Sequence, residues 1–572
     1  MFRLSSTVLF LLLALTPVFA QETTTKPKLV VLVVFDQMRG DYVQRWEKLF
    51  GTDGFEKMKK EGAWYNNCHY PYAITVTGAG HASMLTGTCP DKHGIIDNSW
   101  YDRASRTMVN CSTSARYDRV PPETERLKPL VETKPSTTSE EKEDTKSRGC
   151  PDRLLSPTVV DALKAVSPTS KAIGLSFKDR GAILTVGRKA DVAYWLDSYD
   201  GYVVTSTYFR TTPSPWVTEI NNSHLADQWL MKPWTHLLPD VNYETYSGPD
   251  DVIGEGIGSK QGRVFPHPMN AGAKQLTRGY FGALFNSPYG NDFLLELAKR
   301  AIVAEHLGQR EVPDVLSVSF SSNDAIGHCW GPDSQEVMDV TLRSDRIMAE
   351  FIKFLDEKVG AGKYILALTA DHGICPLPEV SASQGRDAKR VAMKDILGDI
   401  ETQLSKKFGA IPPKAKWLES ARTVPWIYLN QKLMASMDVK QVDVEKEVAE
   451  FLKTRPGVAH VYTRTELLQS DFKDDKIGQM MKRSFYPDRS GDIAFLLKPY
   501  YLIGGNLSTG TTHGTPYDYD THVPLLVYGP GIQPGTHKEL ARPQQIASIF
   551  SKALNITPPK DAEFGVPTGL FK

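Results

Sequence analysis

Five stretches of the chain are unbroken runs of apolar, largely β-branched residues, and each adjoins side chains able to bind a metal or a phosphate group. Residues 28–35 (KLVVLVVF) stop at Asp36, and residues 171–177 (KAIGLSF) stop at Lys178-Asp179-Arg180. Residues 315–320 lead to Asp324 and His328, residues 364–370 stop at Asp371-His372, and residues 523–528 follow Thr512-His513-Gly514. Continuous apolar runs bounded by loops are the pattern of strands in a parallel sheet covered on both faces. Ligands of such sheets bind beyond the carboxyl ends of the strands. The pattern therefore predicts an α/β fold, with a mostly parallel central sheet, helices on both faces, and several carboxylates and imidazoles gathered at one sheet edge. Between His372 and His513 lie an amphipathic stretch, 442–452, and another apolar run, 491–497. A segment that leaves and rejoins the same group of site residues is most simply a subdomain. Residues from about 376 to 505 are accordingly expected to form an inserted cap subdomain.

At 572 residues and 41% hydrophobic composition, the chain can bury a large core in one elaborate domain or two to three smaller ones. Its 67 basic and 67 acidic residues cancel, so there is no basic excess of the kind that accompanies nucleic-acid binding. Met1-Phe2-Arg3, the apolar run 8–15 and the small residues before Gln21 predict a secretory signal peptide, 1–20, cut after Ala20. That run is short for a membrane span, and no later stretch is long and apolar enough for one. A periplasmic or secreted protein is expected. The segment 121–147, within a polar loop at about 118–150, is rich in Pro, Thr, Glu and Lys and carries no hydrophobic period. Six cysteines are few for this length, and their spacing suggests no thiolate metal site; Cys111 and Cys150, which flank the polar segment, are expected to be bridged.

Asp36, Asp324, His328, Asp371, His372 and His513 make a mixed carboxylate and imidazole set, which suits zinc, with iron and manganese as alternatives. A single Asp or His in a loop is more often a cap or a satisfied polar group. Four clusters near strand ends are a stronger signal, and they supply enough ligands for two ions. Thr77, in 74–83 (ITVTGAGHAS), falls at or just before the first turn of a helix expected to run to about Leu85. Two readings stay open for it: a nucleophile in the positive field of the helix N-terminus, or an ordinary N-cap. Asn98, Lys178 and Arg180 could serve as donors to a tetrahedral oxyanion.

From about Lys28 to near the C-terminus, the chain resembles the alkaline phosphatase superfamily and, within it, the PafA-like secreted phosphate monoesterases. The resemblance rests on motifs in the family's order: 35–39 (FDQMR), Thr75-Val76-Thr77 with Gly80-His81, Asn98-Ser99-Trp100-Tyr101, Lys178-Asp179-Arg180, Asp324 with His328, Asp371-His372-Gly373, Arg489-Ser490-Gly491-Asp492 and Thr511-Thr512-His513. It implies two Zn2+ per chain, one held by Asp36, Asp371, His372 and the Thr77 oxygen, the other by Asp324, His328 and His513. Asn98, Lys178 and Arg180 would contact the phosphoryl oxygens, and in-line attack by Thr77 between the two metals would leave a phosphothreonine. His81, His93 and His522 match no ligand position and are assigned structural roles. Monoesters are preferred, because their additional charged oxygen rewards the Lys178 and Arg180 pair. Related nucleotide pyrophosphatase/phosphodiesterases lack an equivalent pair, and sulfatases carry a Cys-derived nucleophile in a different motif. The alternatives are a phosphodiesterase of the same superfamily and a non-catalytic metal-binding scaffold. Small phosphorylated metabolites are the implied substrates; oligomeric state is not legible.

Overall fold

The computed structural model describes residues 26–126, 148–419, 424–504 and 509–572. The expected signal peptide, 1–20, and residues 127–147 of the polar segment lie outside the described residues.

The main sheet contains β1 (Leu29–Phe35), β2 (Ala63–Tyr65), β3 (Arg119–Val120), β4 (Ala172–Ser176), β5 (Val192–Leu196), β6 (Val203–Ser206), β7 (Asp314–Phe320), β8 (Tyr364–Thr369), β9 (Leu525–Tyr528) and β10 (Gly535–His537). Their spatial order is β10-β2-β9-β8-β1-β7-β4-β5-β6-β3. The middle five, β8-β1-β7-β4-β5, are all parallel. All seven residues of β1 are fully buried, which is why the strand carries no alternation of polar and apolar positions. Helices Asp179–Val186 and Pro288–Ala304 pack on β4 and β7, and Gln545–Leu554 packs on β8.

Two expectations about the sheet need correction. The run 523–528 is a strand, but β9 is antiparallel to β8. It enters the sheet from the edge where the parallel strands end, so its site residue precedes it in sequence instead of following it. The region at about 118–150 is expected to be a polar loop, yet β3 at its start pairs antiparallel with β6. The Cys111–Cys150 bridge also does not form: all six cysteines are free thiols. Cys150 N–H donates to Ser112 O at 2.6 Å, which brings the two backbones together. The thiols nevertheless meet different surroundings, Cys111 beside Gly78 and the Arg180 charge, Cys150 beside Asp152.

Between His372 and His513 the strands Trp426–Ile427, Ile493–Leu497 and Val458–Thr463 form an antiparallel sheet with the middle one central. Helices Met393–Phe408 and Gln441–Lys453 accompany it, and Ile400, Leu404, Trp417, Val448, Leu452 and Phe495 belong to an apolar cluster separate from the main core.

Candidate active site

Strand register explains why the site residues meet. Val34 of β1 pairs with both Thr369 of β8 and Ser319 of β7, and Ser319 pairs in turn with Ser176 of β4. Asp36, Asp371 and Lys178 each stand two residues beyond their member of this row, so all three leave the sheet at one level. Asp324 reaches the same level from the first turn of helix Ser322–Trp330, one turn before His328 on that helix. Asp36, Asp324, Asp371 and Lys178 are all buried.

Among the described residues, ligand atoms of Asp324, His328 and His513 lie within 4.8 Å of one another, as do those of Asp36, Asp324 and His372. His372 Nε2 is 3.6 Å from Asp36 Oδ1 and 3.3 Å from Asp371 Oδ2. The three imidazoles are oriented alike. His328 Nδ1 meets Thr511 O at 2.7 Å, His372 Nδ1 meets Gly373 O at 2.9 Å, and His513 Nδ1 meets Thr75 O at 2.8 Å. A backbone carbonyl can only accept, so each Nδ1 carries a proton, and in the neutral ring each Nε2 presents its lone pair to the cluster. Metal-binding histidines are characteristically fixed in this way. The His372 and His513 rings stack with centroids 3.5 Å apart, and burial followed by the neighbouring His372 and His328 holds His513 well below the usual imidazole range.

Asp36 Oδ1 and Asp371 Oδ2 are buried oxygens with no hydrogen-bond donor. His81 Nδ1 is 3.2 Å from Asp371 Oδ2, but its closer partner is Thr77 O at 2.9 Å. Buried carboxylate oxygens left so need a cation. Lys178 supplies only one charge against three carboxylates, with Nζ 2.8 Å from Asp36 Oδ2 and 2.6 Å from Asp324 Oδ2. Burial alone would discharge Lys178, but Asp324 and Asp36 outweigh it and hold the ammonium above its ordinary range. The donor set, its tautomers and its unpaired oxygens fit divalent cations.

Thr77 is the first residue of helix Thr77–Thr86, and Val76 occupies the N-cap position. Its Oγ1 points into the cluster, 3.3 Å from His372 Nε2 and 3.5 Å from Lys178 Nζ. The helix comes close because of Gly80, where a Cβ would stand 2.3 Å from Asp371 O. Asn98 is half-buried, and its Oδ1 accepts the Gly78 N–H at 2.8 Å, which turns the amide NH2 away from the helix. Arg180 is half-buried and the His328 side chain is 34% exposed, so the cluster opens to solvent on that side. A cavity of about 890 Å³ lined by Arg39, Trp330, Tyr500 and Tyr519 touches none of these residues.

Two residues outside the candidate ligands and phosphoryl contacts also touch the cluster. Gln37 N–H donates to Asp371 Oδ1 at 3.0 Å and its Nε2 donates to Asp324 Oδ1 at 2.8 Å, bridging the two ligand groups. His81, assigned a structural role from its sequence, has a ligand atom within 4.8 Å of those of Asp36 and Asp371, and its Nε2 meets Ser319 Oγ at 2.8 Å. His93 and His522 lie outside the cluster: His93 bonds to Ser83 Oγ at 3.0 Å, and His522 stacks on His69.

The chain is similar to known proteins over nearly its whole length. Alkaline phosphatase PafA of Elizabethkingia meningoseptica is 34% identical over 548 residues, covering 95% of this chain and 94% of that protein. A Myroides odoratus protein named calcium-transporting ATPase is 32% identical, covering 96% of this chain and 95% of its own. Alkaline phosphatase PhoV of Synechococcus elongatus is 31% identical, covering 96% and 94%. The crystal structure of wild-type PafA superposes with a TM-score of 0.85 at 33% identity, covering 96% of this chain and 99% of that one. The model of the type I phosphodiesterase / nucleotide pyrophosphatase family matches residues 30–520, and the chain belongs to that family.

Proposed function

We propose that the protein is a secreted hydrolase of phosphate monoesters that works through a Thr77 phospho-enzyme at a site for two zinc ions. The observation that carries this reading is the meeting, at one sheet edge, of the Thr77 hydroxyl with three buried carboxylates and three Nε2 lone pairs. Asp36, Asp371 and His372 with the Thr77 oxygen would hold one ion, and Asp324, His328 and His513 the other. Zinc at these positions would lower the pKa of the Thr77 hydroxyl and of water and offset charge on the departing oxygen.

Thr77 gives its hydroxyl proton to water and Oγ1 attacks phosphorus in line with the ester oxygen: the Oγ1–P bond forms, the ester P–O bond breaks, and the departing alkoxide takes a proton from water and leaves as the alcohol. Water then attacks the phosphothreonine, the P–Oγ1 bond breaks, and phosphate is released with the Thr77 hydroxyl restored. The N-terminus of helix Thr77–Thr86 places its field on the anion. Lys178, Arg180 and the Asn98 amide meet the charge spread over the phosphoryl oxygens. Gln37 and His81 keep Asp324 and Asp371 in place. The insertion at about 376–505 acts as a cap on one catalytic domain spanning 21–572.

The family's description makes diester hydrolysis the second reading. Lys178, a cation 3.5 Å from the nucleophile, favours monoesters, because a diester carries a neutral substituent in place of one charged oxygen. Secretion rests on the reading of residues 1–20, and no described helix is long and apolar enough to cross a membrane. In the Thr77→Ala variant, zinc content by mass spectrometry should stay as in the wild type. Its steady-state hydrolysis of p-nitrophenyl phosphate should fall on the order of 10³-fold or more. Turnover that survives the substitution removes Thr77 as the nucleophile.

A further inference from the structure

The motif Arg489-Ser490-Gly491-Asp492 contributes no ligand and no phosphoryl contact to the site above, yet two of its side chains, half-buried Arg489 and fully buried Asp492, bond to the segment that carries Asn98. Asn98 stands immediately before strand Ser99–Asp102, which pairs with Thr107–Asn110 as a small hairpin; Asn98 O closes its open end by accepting Cys111 N–H at 2.9 Å. A two-stranded hairpin is marginal by itself, and the second strand here is half-buried at most. Its position must therefore come from what it is docked on.

The insertion grips this segment on both sides of Asn98. Before it, Arg489 Nη1 donates to Gly94 O; the same nitrogen donates to Arg153 O at 2.7 Å, and the guanidinium lies 5.1 Å over the ring of Trp100, just after Asn98. Gly94 has φ +76°, and a Cβ there would stand 2.7 Å from Arg489 Nη1. After it, Arg103 Nη2 donates to Asp492 Oδ1 at 2.9 Å, and Tyr101 OH donates to Glu419 Oε2 at 3.0 Å. Asp492 is fully buried, and its other contacts come from within the insertion, Leu429 N–H at 2.7 Å and Gln441 Nε2 at 3.1 Å.

We infer that Arg489 and Asp492 are positioning residues, by which the insertion clamps the hairpin and fixes the Asn98 amide against the phosphoryl group. This rests on the reading of Asn98 as a phosphoryl contact. With Oδ1 already held by Gly78 N–H, the NH2 has one direction to aim, and small misplacements of such a donor are costly.

The test is a double-mutant cycle on kcat/KM for p-nitrophenyl phosphate, with Arg103→Met releasing the clamp from the hairpin side without substituting any residue of the insertion. Arg103→Met should cost about tenfold in the wild-type background and less than about twofold in Asn98→Ala, with Arg103→Lys recovering part of the loss. Tyr101→Phe, which removes the hydrogen bond to Glu419, gives the same comparison if Arg103→Met does not fold. Equal losses in both backgrounds, or none in either, would overturn the clamp alone. An Asn98→Ala enzyme with unchanged kcat/KM would overturn the phosphoryl contact, and the clamp with it.

Discussion

The Lys178 ammonium occupies an unusual position, bonded to one carboxylate from each ligand group and 3.5 Å from the Thr77 hydroxyl. A cation so placed can balance the ligand charge and also meet a phosphoryl oxygen, with Arg180 two residues further on. Replacing both by Ala should lower kcat/KM for a monoester by roughly 10² to 10³-fold and for a diester by no more than about tenfold. Parallel assays on p-nitrophenyl phosphate and its bis-ester decide this, and equal losses would remove the pair from discrimination. These residues were legible in the sequence because each sits at the end of an apolar run. Gln37 was not, although it follows Asp36 directly. Its partners Asp324 and Asp371 are 287 and 334 residues away, and its φ of +70° follows no local glycine or turn signal. The motif 35–39 contains Gln37 without indicating a role for it, and a remote trace is Gly327, where a Cβ would stand 2.0 Å from Gln37 Oε1.

At the scale of elements, the register of β1, β4, β7 and β8 sets the site, and helix Thr77–Thr86 completes it by close approach. Gly80 permits that approach, so Gly80→Ala should push the helix off the Asp371 loop. A loss of about 1 to 3 kcal/mol in chemical denaturation is expected, together with reduced turnover. Unchanged stability and activity would mean that the helix can give way. The parallel strands could be read because burial on both faces leaves a continuous apolar run. The direction of β9 could not, since a short apolar run reads the same entering the sheet as leaving it. β3 was missed because two residues, Arg119 and Val120, carry no period at all. The cysteine pairing failed for a related reason: nearness of two backbones does not fix where the thiols point.

At the scale of the molecule, likeness to alkaline phosphatase PafA extends over 95% of the chain, including the insertion between His372 and His513. That insertion has an apolar cluster of its own and also grips the hairpin at Asn98, so it both folds around its own core and bears on the site. Cleavage of phosphate monoesters by this assembly is the function on which every residue role above depends. It is tested most directly by kcat/KM for p-nitrophenyl phosphate and bis-p-nitrophenyl phosphate on zinc-loaded protein at mildly alkaline pH. A monoester preference of at least about 10²-fold is predicted, from the charge that Lys178 and Arg180 present. A preference for the diester, or hydrolysis of neither substrate with zinc bound, would contradict it.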